Sequence, residues 1–193
     1  MMCLRHSLRI ENACQHSSGY GLVSILSHWL SAIAVIGLFG LGYWMVDLTY
    51  YSAWYQKGPH LHKSIGILLL ALTLVRLLWK LLSPSPQAIP DKPLLQKAAR
   101  LTHWGLYLLL LLIMLSGILI STADGRGIAV FDWFELPGVG ELFNNQADIA
   151  GAIHKYAAYS LIALVVLHAL AALKHHFIDK DQTLIRMIKL KRG

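Results

Sequence analysis

The chain has 193 residues, 56% of them hydrophobic and only 14% charged. That balance excludes an ordinary water-soluble domain and places the chain in a membrane class. The net charge of +7 does not indicate a nucleic-acid partner, because the basic residues sit at the ends of apolar segments, where membrane orientation puts them.

Residues 1–19 read as a polar, weakly basic tail in which His6 and His16 are solvated. Cys3 and Cys14 lie in it, with neither metal-motif spacing nor the numbers for a disulfide framework. The first 20 residues lack the apolar core and small-residue cleavage site of a signal peptide. A first spanning helix is expected over about 20–48, with His28 roughly two turns inside it and Gly37, Gly40 and Gly42 in its second half. Tyr43 and Trp44 sit near its far end, as interfacial aromatics do.

An aromatic link leads to a second helix expected over about 60–82, with His60 and His62 in its first turn and Arg76, Trp79 and Lys80 near its end. The next link, SPSPQAIPDKP, holds four prolines and cannot continue a helix. A third helix is expected over about 94–122, with His103 two turns in and Gly117 deeper. The longest loop, Ala123–Asn145, carries Asp124, Asp132, Glu135 and Glu141 against Arg126 alone, and reads as a cap on the bundle with a short interfacial helix. The fourth helix is expected over 146–177, with His154 and His168 inside its apolar run, followed by a basic tail that ends at 190–193.

Lys and Arg concentrate in the N-terminal tail, the proline link and the C-terminal tail, so both termini are expected in the cytoplasm. The fold class that follows is all-α: an integral membrane four-helix bundle forming one domain over residues 20–189.

An ionisable residue at membrane depth is a functional-site hypothesis by default. His154 and His168 are fourteen residues apart, which on an α-helix is ~21 Å and almost four whole turns. Both imidazoles therefore leave one face at two depths. With helices one and three running outward and two and four running back, His28 matches His168 near the inner ends and His62 matches His154 near the outer ends. Paired imidazoles facing across a bundle core suit six-coordinate haem iron, whose flat ring takes axial ligands above and below. His103 shares the inner depth and competes with His28 and His168 as ligand, or serves as hydrogen-bond donor to a propionate or quinone.

Fourteen residues after His28 comes Gly42, and fourteen after His103 comes Gly117, each on its histidine's stripe at the opposite depth. A residue without a side chain there leaves room for a macrocycle, and Gly66 and Gly151 keep the outer pocket open in the same way. Fourteen after His62 comes Arg76, a cation placed to pair with a propionate. The plainer readings stand beside these. A membrane histidine can serve as a helix–helix hydrogen-bond partner, the glycines can allow close packing, and Arg76 can snorkel to the inner surface. Zinc is the other metal to weigh, but two histidines per level leave it short of ligands and the segments contain no Cys. His60, His175 and His176 read as interfacial, solvated groups.

The segments SHWLSA at 27–32, LHKSIGILLL at 61–70, LVRLLWK at 74–80, ISTADG at 120–125 and ALKHHFIDKDQTLIRM at 172–187 resemble the bacterial cytochrome b561 family. The resemblance covers about residues 20–189. It implies a multi-pass inner-membrane cytochrome with two haem b groups per chain that exchanges electrons with ubiquinone. The family's ligand pattern falls on His28, His62, His154 and His168, in agreement with the depth argument. Residues 1–19 depart from the family, whose members begin just before the first helix, so a start of translation downstream of Met1 is one expectation.

The leading expectation is thus transmembrane electron transfer with quinone as partner, with an oxidase of superoxide as a subtype, for which Lys57, Lys63 and Lys155 would draw a small anion to the outer end. Two other classes compete. A haem-bearing membrane anchor docking a periplasmic redox enzyme would need a large docking loop, and only Ala123–Asn145 offers one. A haem-free transporter or metal-binding bundle would show no Soret band.

Overall fold

The computed structural model describes residues 20–83 and 93–189. The expectations for the tail 1–19, most of the proline link and the end 190–193 lie outside these residues. Four long helices dominate: α1 (Leu22–Met45), α2 (Lys57–Leu82), α3 (Pro93–Thr122) and α4 (Gln146–Phe177). Each is long and apolar enough to cross a membrane. In hydrocarbon every backbone polar group must find its partner within the segment, which makes a continuous helix the answer for these runs.

The helix ends follow local chemistry. Helix α2 begins three residues earlier than expected, because Gly58 N–H donates to the Trp54 carbonyl at 2.8 Å and His60 N–H to the Gln56 carbonyl at 3.1 Å. Pro59 is tolerated there, since a first-turn residue needs no helical N–H partner. Gly58 is buried, and a β-carbon on it would sit 3.4 Å from the Leu48 side chain, so the α1–α2 link folds back tightly on the start of α2. Pro93 opens α3 at the position that suits its fixed φ.

The loop between α3 and α4 contains no interfacial helix. It forms an antiparallel hairpin of β1 (Ile128–Val130) and β2 (Phe134–Leu136) with Val130 opposite Phe134. Phe131 and Asp132 take positive φ of 47° and 59° at its turn. The hairpin wins because β1 can bury Ile128 and Val130, 1% and 0% exposed, on alternate positions of one face. Ser64 on α2 fixes it in place: its hydroxyl donates to the Ala129 carbonyl at 3.4 Å and accepts from Phe131 N–H at 3.1 Å. The following chain is held by Gln146, which is fully buried. Its amide donates to the Leu119 and Gly140 carbonyls at 2.9 and 3.2 Å, and its oxygen accepts from Leu142 N–H at 2.7 Å.

Packing is uneven. Helix α3 lies closely along α4, and α1 along α2, whereas α1 approaches α4 at few places. The closed core is one layer of Val35, Leu69, Leu110, Met114 and Leu161. Four of these fall seven residues from a histidine of their own helix: Val35 after His28, Leu69 after His62, Leu110 after His103, and Leu161 between His154 and His168. Seven residues are close to two turns. The apolar layer therefore sits midway between two levels of histidines and leaves the space above and below it open. One level lies toward the hairpin, and the other toward the end of the bundle where α4 runs into the C-terminal segment.

Candidate functional site

Helix α4 presents His154, Leu161 and His168 in one stripe at seven-residue intervals. At the hairpin-end level the His154 ring meets His62 of α2, with centroids 6.2 Å apart. At the other level His168 meets His28 of α1 at 6.3 Å. Both expected pairs are thus brought together, and both span the sparsely packed seam between α4 and the α1–α2 pair. His103 of α3 also reaches His168, at 5.4 Å. It is more exposed than the other four, which are half-buried, although it lies on the α3 stripe of Leu110 and Gly117 that faces α4.

Two axial metal–nitrogen bonds of about 2 Å each, plus half an imidazole on either side, separate facing ring centroids by about 6 Å. The His62–His154 and His28–His168 pairs have that separation, and the His103–His168 pair is nearly 1 Å short of the other two. The pairs also have the surroundings of ligands. His154 Nδ1 lies 2.8 Å from the Ile113 carbonyl, which can only accept, so Nδ1 carries the proton and Nε2 keeps its lone pair. The Ser116 hydroxyl donates to the same carbonyl at 2.9 Å and lies 3.2 Å from the ring. His62 Nδ1 is buried with no partner in the protein.

The glycines are where the fourteen-residue spacing puts them. A β-carbon on Gly42 would lie 3.1 Å from His62 Cε1, and one on Gly117 would lie 3.2 Å from His154 Cε1. Both positions are bare because an imidazole edge occupies the space. Gly66 and Gly151 face no atom within 4 Å, which leaves the open volume expected beside the hairpin-end pair. The residues present therefore fit a planar group held between two imidazoles at each level.

Arg76 is half-buried and places Nη2 3.4 Å from His28 Nδ1. Its guanidinium carbon is also 5.8 Å from the Tyr107 ring centroid, and Lys80 Nζ is 4.9 Å from the same centroid and 5.0 Å from that of Trp104. Sequence reasoning missed Lys80, Tyr107, Ser64, Ser116 and Gln146. Polar residues inside otherwise apolar helices were the signal available for the two serines and for Tyr107.

His175 continues the α4 stripe seven residues past His168, and it is not simply solvated. It is half-buried, donating from Nδ1 to Asp181 at 2.7 Å with Asp179 at 3.2 Å, and Lys174 holds Asp179 at 2.6 Å. Trp29 ties the start of α1 to this region by donating from Nε1 to the Met187 carbonyl at 2.8 Å.

Comparison with known proteins adds the family. The model of the prokaryotic cytochrome b561 family matches residues 19–189. Cytochrome b561 homolog 2 of Escherichia coli K12 is 54% identical over 170 residues, covering 88% of this chain and 90% of that one. A protein of Yersinia pestis named probable superoxide oxidase CybB is 32% identical over 180 residues, covering 90% and 98%. Cytochrome b562 of Cereibacter sphaeroides is 31% identical over 179 residues, covering 89% and 96%. Four membrane-spanning helices, two levels of facing histidines and a match of this extent lead to one conclusion: the chain belongs to the prokaryotic cytochrome b561 family, whose members are membrane cytochromes of the haem b type.

Proposed function

We propose that this protein is a dihaem b-type cytochrome that carries electrons across the membrane and exchanges them with the ubiquinone pool. The observation that carries the reading is the pair of ring separations, 6.2 and 6.3 Å, at two levels of one helix. His62 and His154 would hold one haem and His28 and His168 the other, with Arg76 placed to pair with a propionate of the second. Held by two imidazoles at each level, the group would supply one-electron transfer when bound.

The chain's own contribution is position and electrostatics. Helix α4 fixes the two levels ~21 Å apart along its axis. The layer of Val35, Leu69, Leu110, Met114 and Leu161 keeps water and ions from following between them. The Ile113 carbonyl sets the tautomer of His154. The hairpin bonded to Ser64 closes the bundle over the His62 level. His103 would remain outside the ligand set, as a neighbour of His168 at the second level.

Orientation follows from charge. The described residues at the C-terminal end include Lys97, Arg100, Lys174, Lys180, Arg186 and Lys189, so this end would face the cytoplasm and the hairpin the outer side. A donor would then arrive at the hairpin end, and superoxide is one candidate, supported by the name of the Yersinia pestis relative and by Lys57, Lys63 and Lys155. The anchor-subunit alternative loses ground because its one docking loop is committed to α2 through Ser64.

The test is a haem-to-protein ratio with a reduced-minus-oxidised spectrum. Two haems per chain are expected, falling to one in His62→Ala, His154→Ala or His28→Ala and staying at two in His103→Ala. Loss of a haem in His103→Ala with retention in His28→Ala would overturn the assignment of the second level.

A further inference from the structure

The two levels are alike in their histidines and opposite in their electrostatics. At the hairpin end, His154 donates to a backbone carbonyl at 2.8 Å. A carbonyl oxygen behind an imidazole makes the ring a stronger donor to metal and favours the oxidised state. At the other end, a guanidinium lies beside His28, with Arg76 Nη2 3.4 Å from Nδ1. Lys80 shares the Tyr107 ring with it from 4.9 Å, which brings a second cation to the same patch. Cations close to a partly buried redox site favour the state with one positive charge fewer, which is the reduced state.

We infer that Arg76 and Lys80, acting against the Ile113 carbonyl, make the level of His28 and His168 the resting place of the transferred electron, so that conduction runs from the hairpin end to the C-terminal end. This rests on the function proposed above and adds its direction. The step would move one electron from the group that His62 and His154 would hold, which is oxidised, to the group that His28 and His168 would hold, which is reduced. No proton or bond moves. The reductant is whatever donor reaches the hairpin end, and the oxidant is the quinone.

The protein's own carboxylates do not cancel the asymmetry, and a propionate paired with Arg76 would offset that charge while leaving Lys80 beside it. Among the described residues no carboxylate pairs with Arg76 or Lys80. Asp179 and Asp181 are taken up by Lys174 and His175. Lys63 and Lys155 each follow a hairpin-end histidine by one residue, so they leave their helices about 100° away from it. Lys155 is also exposed, where water and salt screen it.

Redox titration of the purified holoprotein, followed by optical spectroscopy, tests the inference. His62→Ala, which removes the hairpin-end ligand, identifies which component belongs to which level. In the wild type the component at the His28–His168 level should have the higher midpoint potential. Arg76→Met should shift the electron distribution between the levels at least tenfold toward the hairpin end, which is 59 mV for one electron, by lowering that component alone. Lys80→Met should shift it the same way by less. Arg76→Lys keeps the charge and should restore most of the wild-type difference, and Lys80→Met still reads the effect should Arg76→Met fail to load haem. Equal potentials in the wild type, a higher potential at the hairpin end, or equal movement of both components in Arg76→Met and Lys80→Met would overturn the inference. A chain that never binds two haems would instead remove the function beneath it, and the haem-to-protein ratio tells the two failures apart.

Discussion

Gly117 offers a sharp test of the site, because what a substitution would strike is known. A β-carbon there would lie 3.2 Å from His154 Cε1 and 3.4 Å from its Nδ1. Comfortable carbon contacts begin at about 3.5 Å, so in Gly117→Ala the ring must give by a few tenths of an ångström. That shift strains the bond from Nδ1 to the Ile113 carbonyl, now at 2.8 Å, and losing it outright would cost about 1 kcal/mol. Loading of the hairpin-end level should therefore weaken by up to about fivefold. Haem titration into purified apoprotein, read by absorbance, should show one site weakened and the other unchanged. Gly37→Ala and Gly40→Ala are the controls, since a β-carbon at either would meet nothing within 4 Å. Wild-type loading in Gly117→Ala, or equal loss in the controls, would refute the placement of His154.

Three further substitutions probe the frame around the site. Gln146→Leu strands the Leu119 and Gly140 carbonyls and the Leu142 N–H in a fully buried spot, so a loss of about 2–4 kcal/mol is expected, read as a lower thermal midpoint in detergent. Leu161→Ala opens a cavity in the apolar layer and should cost about 2–4 kcal/mol while both haems still bind, measured by the same melt and by the haem-to-protein ratio. Beyond α4, partial burial pushes the Asp181 carboxyl up, but the bonds from Thr183 and His175 outweigh it and hold the carboxyl below its usual range. A depressed folded value means its contribution is complete above the unfolded value of about 3.9 and is lost as pH falls through the folded one. Proteolysis of the C-terminal segment should therefore accelerate below about pH 4, and Asp181→Asn should show the faster cleavage already at pH 7.

Much of this architecture could be read from spacing alone. Apolar length placed the helices, and α4 begins and ends where its sequence pattern does. The fourteen-residue intervals paired His28 with His168 and His62 with His154 because a helix converts sequence distance into depth and direction with little freedom. The same intervals put Gly42 and Gly117 against the imidazoles of the other helix pair. What spacing could not supply was the loop. Ile128–Leu136 is short, and its burial depends on a partner, Ser64, that lies 65 residues from Ala129 in the chain. Local pattern therefore had no means of choosing a hairpin over a helix. The pairing of His175 with Asp181 depends likewise on the chain turning back after α4. The place of His103 was left open because depth alone cannot separate two histidines at one level. Ring separation can, and it favours His28, at 6.3 Å from His168 against 5.4 Å for His103.

The asymmetry between the levels acquires a purpose once the membrane field is considered. In the orientation proposed above, an electron moving from the hairpin end would travel toward the negative side. The field costs about 2.3 kcal/mol per charge for each 100 mV across the whole membrane. The levels are separated by ~21 Å of a hydrocarbon core of about 30 Å, roughly two thirds of that drop, so the uphill step is about 1.6 kcal/mol per 100 mV. Two levels of equal potential would hold the electron at the hairpin end, where it could return to its donor. A guanidinium at His28 and a carbonyl behind His154 oppose the field from its two ends. Each is a short-range effect in a partly dry setting, where one neighbouring charge or dipole outweighs the screened charges of the surface. On the reading proposed above, a chain with the same four histidines but a neutral residue at Arg76 would conduct inward less readily as the membrane potential grew.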